Sequence, residues 1–185
     1  MKNELIEWRK KAMQEVKTLL NIKNLMCVPK LEKIVVNAGL KEAVSNSKAI
    51  SSAMNLLSEI TGQLPVKTIA KKSIAGFKIR EGMPIGAFVT LRGIKMYNFL
   101  YKLVHLALPK IRDFQGLSKK FDGRGNYNLG LSNVEVFPEG ERLGVAEFTT
   151  GVCITIVTSS NDDREAYAFL KALGVPFIRE KDNNK

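Results

Sequence analysis

The amino-acid sequence predicts an α+β fold, a two-layer sandwich with helices on one face of a mainly antiparallel or mixed sheet. Three observations carry this. Val/Ile-rich segments with two-residue alternation take turns along the chain with segments whose apolar residues recur every three or four positions. No Gly-rich phosphate turn links a strand to a helix, as a parallel nucleotide-binding sheet would need. The length, 185 residues with 45% hydrophobic and 25% charged, fits a single domain spanning 1–185 with a core that needs no disulfide or metal. One face of such a sheet stays open.

The elements follow in order. Leu5, Trp8 or Arg9, Ala12, Val16 and Leu19 keep a three-four spacing, so residues 3–20 read as an amphipathic helix with a basic side. Leu31 to Val36 reads as a strand that Asn37-Ala38-Gly39 stops. Ser45 or Ser47 can cap the next helix, which runs to Ile60 behind the stripe Ala49, Ile50, Ala53, Met54 and Leu57 and ends at Gly62. Gln63 to Ile69 reads as a short strand, and Pro65 demotes it to a sheet edge. Residues 70–86 read as a long exposed basic loop, punctuated by Gly76, Gly82, Pro84 and Gly86. Ala87 to Arg92 is a strand, and a helix from Ile94 to Leu108 is ended by Pro109. Residues 110–126 form a second irregular basic stretch, followed by strands at 126–131 and 153–158. Asn161 or Ser160 caps a final helix over 162–173, Gly174 stops it, and the tail from Arg179 reads as frayed.

The net charge of +11 points to a polyanionic partner, a nucleic acid or an anionic membrane surface. Its distribution narrows the choice. Residues 1–60 carry ten Lys and Arg against six Asp and Glu, residues 61–132 thirteen against three, and residues 133–185 six against nine. A localised basic face has this pattern, and a uniformly solubilised surface does not. No apolar run is long enough to span a membrane, and the N-terminus has no signal core. The chain therefore reads as cytoplasmic, with no membrane partner. Cys27 and Cys153 are far apart and outside any CxxC pair, and they read as buried, reduced core residues. His105, the single histidine, reads as a core residue of its helix and leaves no metal site. Catalytic signatures are absent, both the GxxxxGK[ST] loop and the GxSxG elbow, so no catalytic residue and no cofactor is expected.

Strand alternation gives candidate binding residues. Phe88, Thr90 and Arg92 share one face of their strand, Lys33, Val35 and Asn37 one face of theirs, and Gln63 and Lys67 a third. Short polar side chains beside cations make an RNA platform: amides and hydroxyls bond bases and 2′-hydroxyls, and Lys and Arg neutralise phosphates. The 70–86 loop is the second candidate. It sets Lys71, Lys72, Lys78 and Arg80 among Ile74, Phe77 and Ile79.

The stretch AKKSIAGFKIREGMPIGAFVTLRG (70–93) closely resembles the bacterial ribosomal protein L5 family. So do VPKLEKIVVNAG (28–39), ITGQLPVKTIAKKS (60–73), LPKIRDFQGLSKKFDGRGNYNLG (108–130) and ALGVPF (172–177). The resemblance implies an RNA-recognition or ferredoxin-like sandwich in the large ribosomal subunit. It implies binding to 5S rRNA in the central protuberance, contacts with 23S rRNA and the P-site tRNA, a bridge to a protein of the small-subunit head, and neighbouring central-protuberance proteins. Carried over residue by residue, 5S binding falls on Asn37, Gln63, Thr90 and Arg92, with Lys33 and Lys67 beside them. The tRNA-proximal loop falls on Lys71, Lys72, Ser73, Gly76, Phe77, Lys78 and Arg80. The chain departs from the family at 133–152, where FPE (137–139) is kept and the usual Arg-Gly-Met-Asp turn is not.

Overall fold

The computed structural model describes residues 2–40, 47–142 and 151–178. Five strands form one antiparallel sheet in the order β2-β3-β1-β5-β4: β1 Leu31–Gly39, β2 Val66–Ile69, β3 Pro84–Leu91, β4 Tyr127–Leu131 and β5 Val152–Thr158. The helices are α1 Lys2–Leu19, α2 Ser47–Thr61, α3 Gly93–Lys102, the single turn α4 Leu108–Lys110, α5 Pro138–Arg142 and α6 Asp163–Ala172. The path β1-α2-β2-β3-α3-β5, with β3 lying between β1 and β2, is the ferredoxin-like βαββαβ arrangement. β4 extends it as one further edge strand. The expected α+β sandwich is the fold found.

Alternation sorts the two sheet faces. Ile34, Val36 and Ala38 of β1, Ala87, Val89 and Leu91 of β3, and Val152, Ile154 and Ile156 of β5 are buried under the helices. Leu56, Leu57 and Ile60 of α2, Met96, Phe99 and Leu100 of α3, and Phe169 and Leu170 of α6 fill the space above them. Each such side chain contributes about 1.5–3 kcal/mol by leaving water. Phe99 stacks on Phe137 at 5.9 Å, so the FPE segment is anchored in the same core.

Several boundaries differ from expectation. β1 runs through Asn37, Ala38 and Gly39, because β3 and β5 pair with it on both sides and override the turn-like residues. β2 starts at Val66, three residues later than expected. β3 starts at Pro84, so the 70–86 loop is shorter. Pro109 does not end its helix: after a π-helical segment at Leu103–Ala107, it sits within the first positions of α4. Asp162 caps α6, its carboxylate accepting from the Arg164 N–H at 2.9 Å, in place of Asn161 or Ser160. The cap expected at Ser45 and the tail from Arg179 lie outside the described residues.

Both cysteines and the histidine are corrections. Cys27 and Cys153 are exposed. Cys153 follows the parity of β5 onto the open face, and Cys27 sits in an exposed 3-10 turn. His105 is exposed inside the π-helical segment and packs on Tyr101 with ring centroids 4.3 Å apart.

Candidate nucleic-acid interface

The face of the sheet away from the helices is built by register. Opposed residues in antiparallel strands point the same way. One row across the sheet therefore reads Val66, Phe88, Asn37, Cys153 and Gly130, and the next Thr90, Val35, Thr155 and Asn128. Lys33 lies further along β1, opposite Val157. Among the described residues, no helix buries these rows.

Three of the expected residues converge here. Asn37 and Thr90 stand in adjacent rows on neighbouring strands. Gln63 precedes β2, and its amide nitrogen donates to the Thr90 carbonyl at 3.2 Å, which ties it to the end of β3. Its backbone is held by Thr61, whose hydroxyl donates to Leu57 O at 2.6 Å and accepts from the Gln63 N–H at 3.3 Å. Among the described residues, the Asn37 amide, the Thr90 hydroxyl and the Gln63 amide oxygen have no hydrogen-bond partner. An amide and a hydroxyl each donate and accept, so the three offer a mixed pattern that single-stranded RNA edges and 2′-hydroxyls match. Arg92 stands exposed just past β3, at the N-cap of α3.

Lys67 does not join them. It pairs with Ala87, a buried residue of the helix-side face, so its side chain leaves the sheet on that side. Alternation counted from Gln63 failed because Gln63 lies outside the strand. The strands expected at 126–131 and 153–158 also bring open-face residues that were not among the expected site residues. Asn128 and Thr155 extend the polar rows, the Thr155 hydroxyl donating to the Asn128 side-chain oxygen at 2.7 Å. The alternation in YNLGL and VCITIVT carried that signal.

The 70–83 segment is not irregular. Ala70 N–H bonds Met83 O at 2.8 Å, Ile74 and Ile79 bond each other at 2.9 and 3.2 Å, and Ser73 Oγ accepts the Glu81 N–H at 3.0 Å. It is a hairpin whose tip is a 3-10 turn, Ala75–Phe77, closed by Lys78 in the left-handed region at φ 54°. Phe77 is 71% exposed at that tip. Lys71, Lys72, Lys78 and Arg80 are exposed around it, as are Ser73 and Gly76.

A second structured turn precedes β4. Asp122 accepts from the N–H groups of Arg124 and Asn126 at 2.8 and 2.9 Å and from the Asn126 side-chain amide at 2.7 Å. These bonds, the Asn126 side chain first, hold its carboxyl below the usual aspartate value. Asp163 accepts from Gly123 and Gly125 at 3.1 and 2.8 Å and locks the turn to α6. Gly125, at φ 72°, is required there, because a Cβ would fall on the Ser160 carbonyl. In the sheet and helix layers, burial raises the Tyr127 phenol, and burial outweighs Arg9 in raising Tyr97.

Among the described residues, no three His, Cys, Asp or Glu side chains gather as metal ligands, and no helix is long and apolar enough to cross a membrane. What converges is a set of unpartnered polar groups on an open sheet face, so the class defined is a ferredoxin-like α+β fold with a basic hairpin. Residues 84–177 match the ribosomal L5P family C-terminus, and residues 24–80 match ribosomal protein L5. Large ribosomal subunit protein uL5 of Halothermothrix orenii is 52% identical over 172 residues, covering 92% of this chain and 96% of its own. Large ribosomal subunit protein uL5 of Chloroflexus aurantiacus is 54% identical over 177 residues, covering 93% and 98%. The chain belongs to the ribosomal protein L5 family, a family of structural, non-enzymatic ribosomal proteins.

Proposed function

We propose that this chain is a structural component of the large ribosomal subunit that binds 5S rRNA on its open sheet face and anchors it in the central protuberance. The observation that supports this best is the set of unpartnered hydrogen-bonding groups on Asn37, Thr90 and Gln63, held on adjacent strands of an uncovered sheet. Arg92 and Lys33 neutralise phosphates at the same end of that face. Lys67 leaves the sheet on the helix-side face and takes no part in this contact. The whole chain acts as one RNA-binding domain in the cytoplasmic ribosome. It contacts 23S rRNA, neighbouring central-protuberance proteins and a protein of the small-subunit head. The basic hairpin, Lys71 through Arg80, reaches the P-site tRNA. Its projecting shape and surplus of cations support that division of labour.

The test is composition and binding together. Large subunits purified from cells that carry a tagged copy are expected to hold the chain with 5S rRNA in equal amounts, and the free chain is expected to shift 5S rRNA in a gel while leaving tRNA unshifted. A chain that enters subunits but shows no preference for 5S rRNA over tRNA would sink the sheet-face assignment.

A further inference from the structure

The two edges of the sheet are finished differently. β4 buries Tyr127, Leu129 and Leu131 and turns Asn128 and Gly130 outward, as a half-covered edge strand should. Among the described residues, β2 is largely exposed, with Thr68 alone half-buried. Val66 is 57% and Ile69 61% exposed, Lys67 is exposed between them, and Leu64, just before the strand, is 75% exposed. Among the described residues only β3 pairs with β2, so the outer side of its backbone ladder is unpaired. No carboxylate occurs between Glu59 and Glu81, while Lys67, Lys71, Lys72, Lys78 and Arg80 all fall in that span.

A short strand with a lysine and a preceding proline is how natural edges resist aggregation. That accounts for Lys67, Pro65 and the four-residue length. It does not account for three exposed aliphatic side chains in a row of six residues, which water disfavours and which an edge selected only for solubility would replace. RNA satisfies the cations but gives Leu, Val and Ile little to pack on. An acidic protein strand satisfies the cations, the aliphatic side chains and the open ladder together.

We infer that the β2 edge is a docking site for an extended segment of a neighbouring protein in the assembled particle, with acidic and aliphatic residues in alternation, which adds as a sixth strand beside β2. Main-chain hydrogen bonds hold it in register, Val66 and Ile69 supply the apolar contacts, and Lys67, within the strand itself, selects negative charge. Four residues of edge give few bonds, so the contact forms where the particle already holds both partners close together. The inference rests on membership of a ribosomal protein family and not on the 5S assignment.

The test uses intact large subunits. A benzophenone amino acid placed at Val66 or Ile69, both largely exposed, is irradiated and its adducts are identified, with exposed Met26 as the control position. Protein adducts several-fold above the control, mapping to an acidic segment, are expected at both sites. Exchange of the outward-facing backbone amides of Val66–Ile69, those not bonded to β3, is expected to be about tenfold slower in the subunit than in the free chain, because strand addition occupies them. Adducts to RNA alone, adducts no more frequent than at Met26, or unchanged amide exchange would each overturn the proposal. The 5S content of the same particles reads the other assignment separately. Protein adducts in particles whose 5S is bound elsewhere would spare the edge and sink the sheet face, and RNA adducts in particles that hold 5S normally would do the reverse.

Discussion

The open sheet face and the 70–83 hairpin carry the two candidate contacts on opposite kinds of scaffold. On the face, Asn37 lies on a strand paired on both sides and Thr90 on a strand paired to β1 and β2, so their positions are set by neighbouring ladders. Their side chains are short and uncharged. The hairpin projects beyond the sheet, held by its own cross-strand bonds and a Ser73–Glu81 tie, and its side chains are long and cationic. The difference follows from the chemistry each contact needs. A hydrogen bond to a base edge or a 2′-hydroxyl fails when its partner moves by much less than an ångström, so it belongs on a rigid sheet. A phosphate attracts an ammonium from any direction, so a lysine on a projecting hairpin serves it well.

The largest expected effect breaks the face and leaves the hairpin alone. Changing Asn37→Ala and Thr90→Ala together removes two uncharged hydrogen-bonding groups at about 1 kcal/mol each, so 5S rRNA affinity should fall about 30-fold. The slope of log affinity against log salt should not change, because no cation is lost. Gel-shift titrations at three salt concentrations check both statements. A double variant that binds like the parent, or one whose salt slope drops, would dissolve the division between the two scaffolds.

The converse change comes next in size. Lys71→Ala, Lys72→Ala and Lys78→Ala in one chain should leave 5S affinity within about twofold and weaken the hold of reconstituted large subunits on P-site tRNA by about tenfold, more at low salt. Filter binding of labelled tRNA to the reconstituted particles measures it. Lys78 takes the left-handed region, which alanine resists, so Lys78→Gly serves as the partner variant that removes the charge and keeps the turn. A triple variant that abolishes 5S binding would put the hairpin on the wrong partner.

Much of this comparison was legible in the sequence, for reasons that differ by element. β1, β3 and β5 alternate cleanly between a buried and an open parity, and α2 and α6 keep a helical stripe, so the core faces and the placement of Asn37 and Thr90 followed from periodicity alone. The errors have separate causes. Pro65 delays β2 to Val66, so counting from Gln63 put Lys67 on the wrong side. His105 lies off the buried stripe of Leu100, Leu103, Val104 and Ala107, so helical spacing turns it outward, although a lone histidine in an apolar helix is usually core. Cys153 follows strand parity onto the open face, although free cysteines are most often core. The hairpin order was missed because its bonds join Ile74 to Ile79 and Ser73 to Glu81, pairings that glycine spacing does not announce.

The smallest effect sharpens the comparison at a site that shares features of both regions. The 122–126 turn is exposed like the hairpin, yet its backbone is held by two carboxylates as firmly as a ladder holds a strand. It leads directly into β4, whose Asn128 continues the polar row of the face. The Asp122 carboxyl titrates below its usual value because three hydrogen bonds favour the ionised form, so its folded pKa lies below the unfolded one. Its contribution is therefore complete above the unfolded aspartate pKa and is lost as pH falls through the folded one. Between neutral pH and the ordinary aspartate range, the Arg124 and Asn126 amide resonances should stay fixed, and they should move only at more acidic pH. At neutral pH, Asp122→Ala should release both amides and lower 5S affinity by no more than about twofold, through the start of β4 alone, with tRNA retention unchanged. If recognition needs a rigid scaffold, loosening this turn acts on the face and not on the hairpin; a loss of tRNA retention in that variant would show that the two contacts share a support.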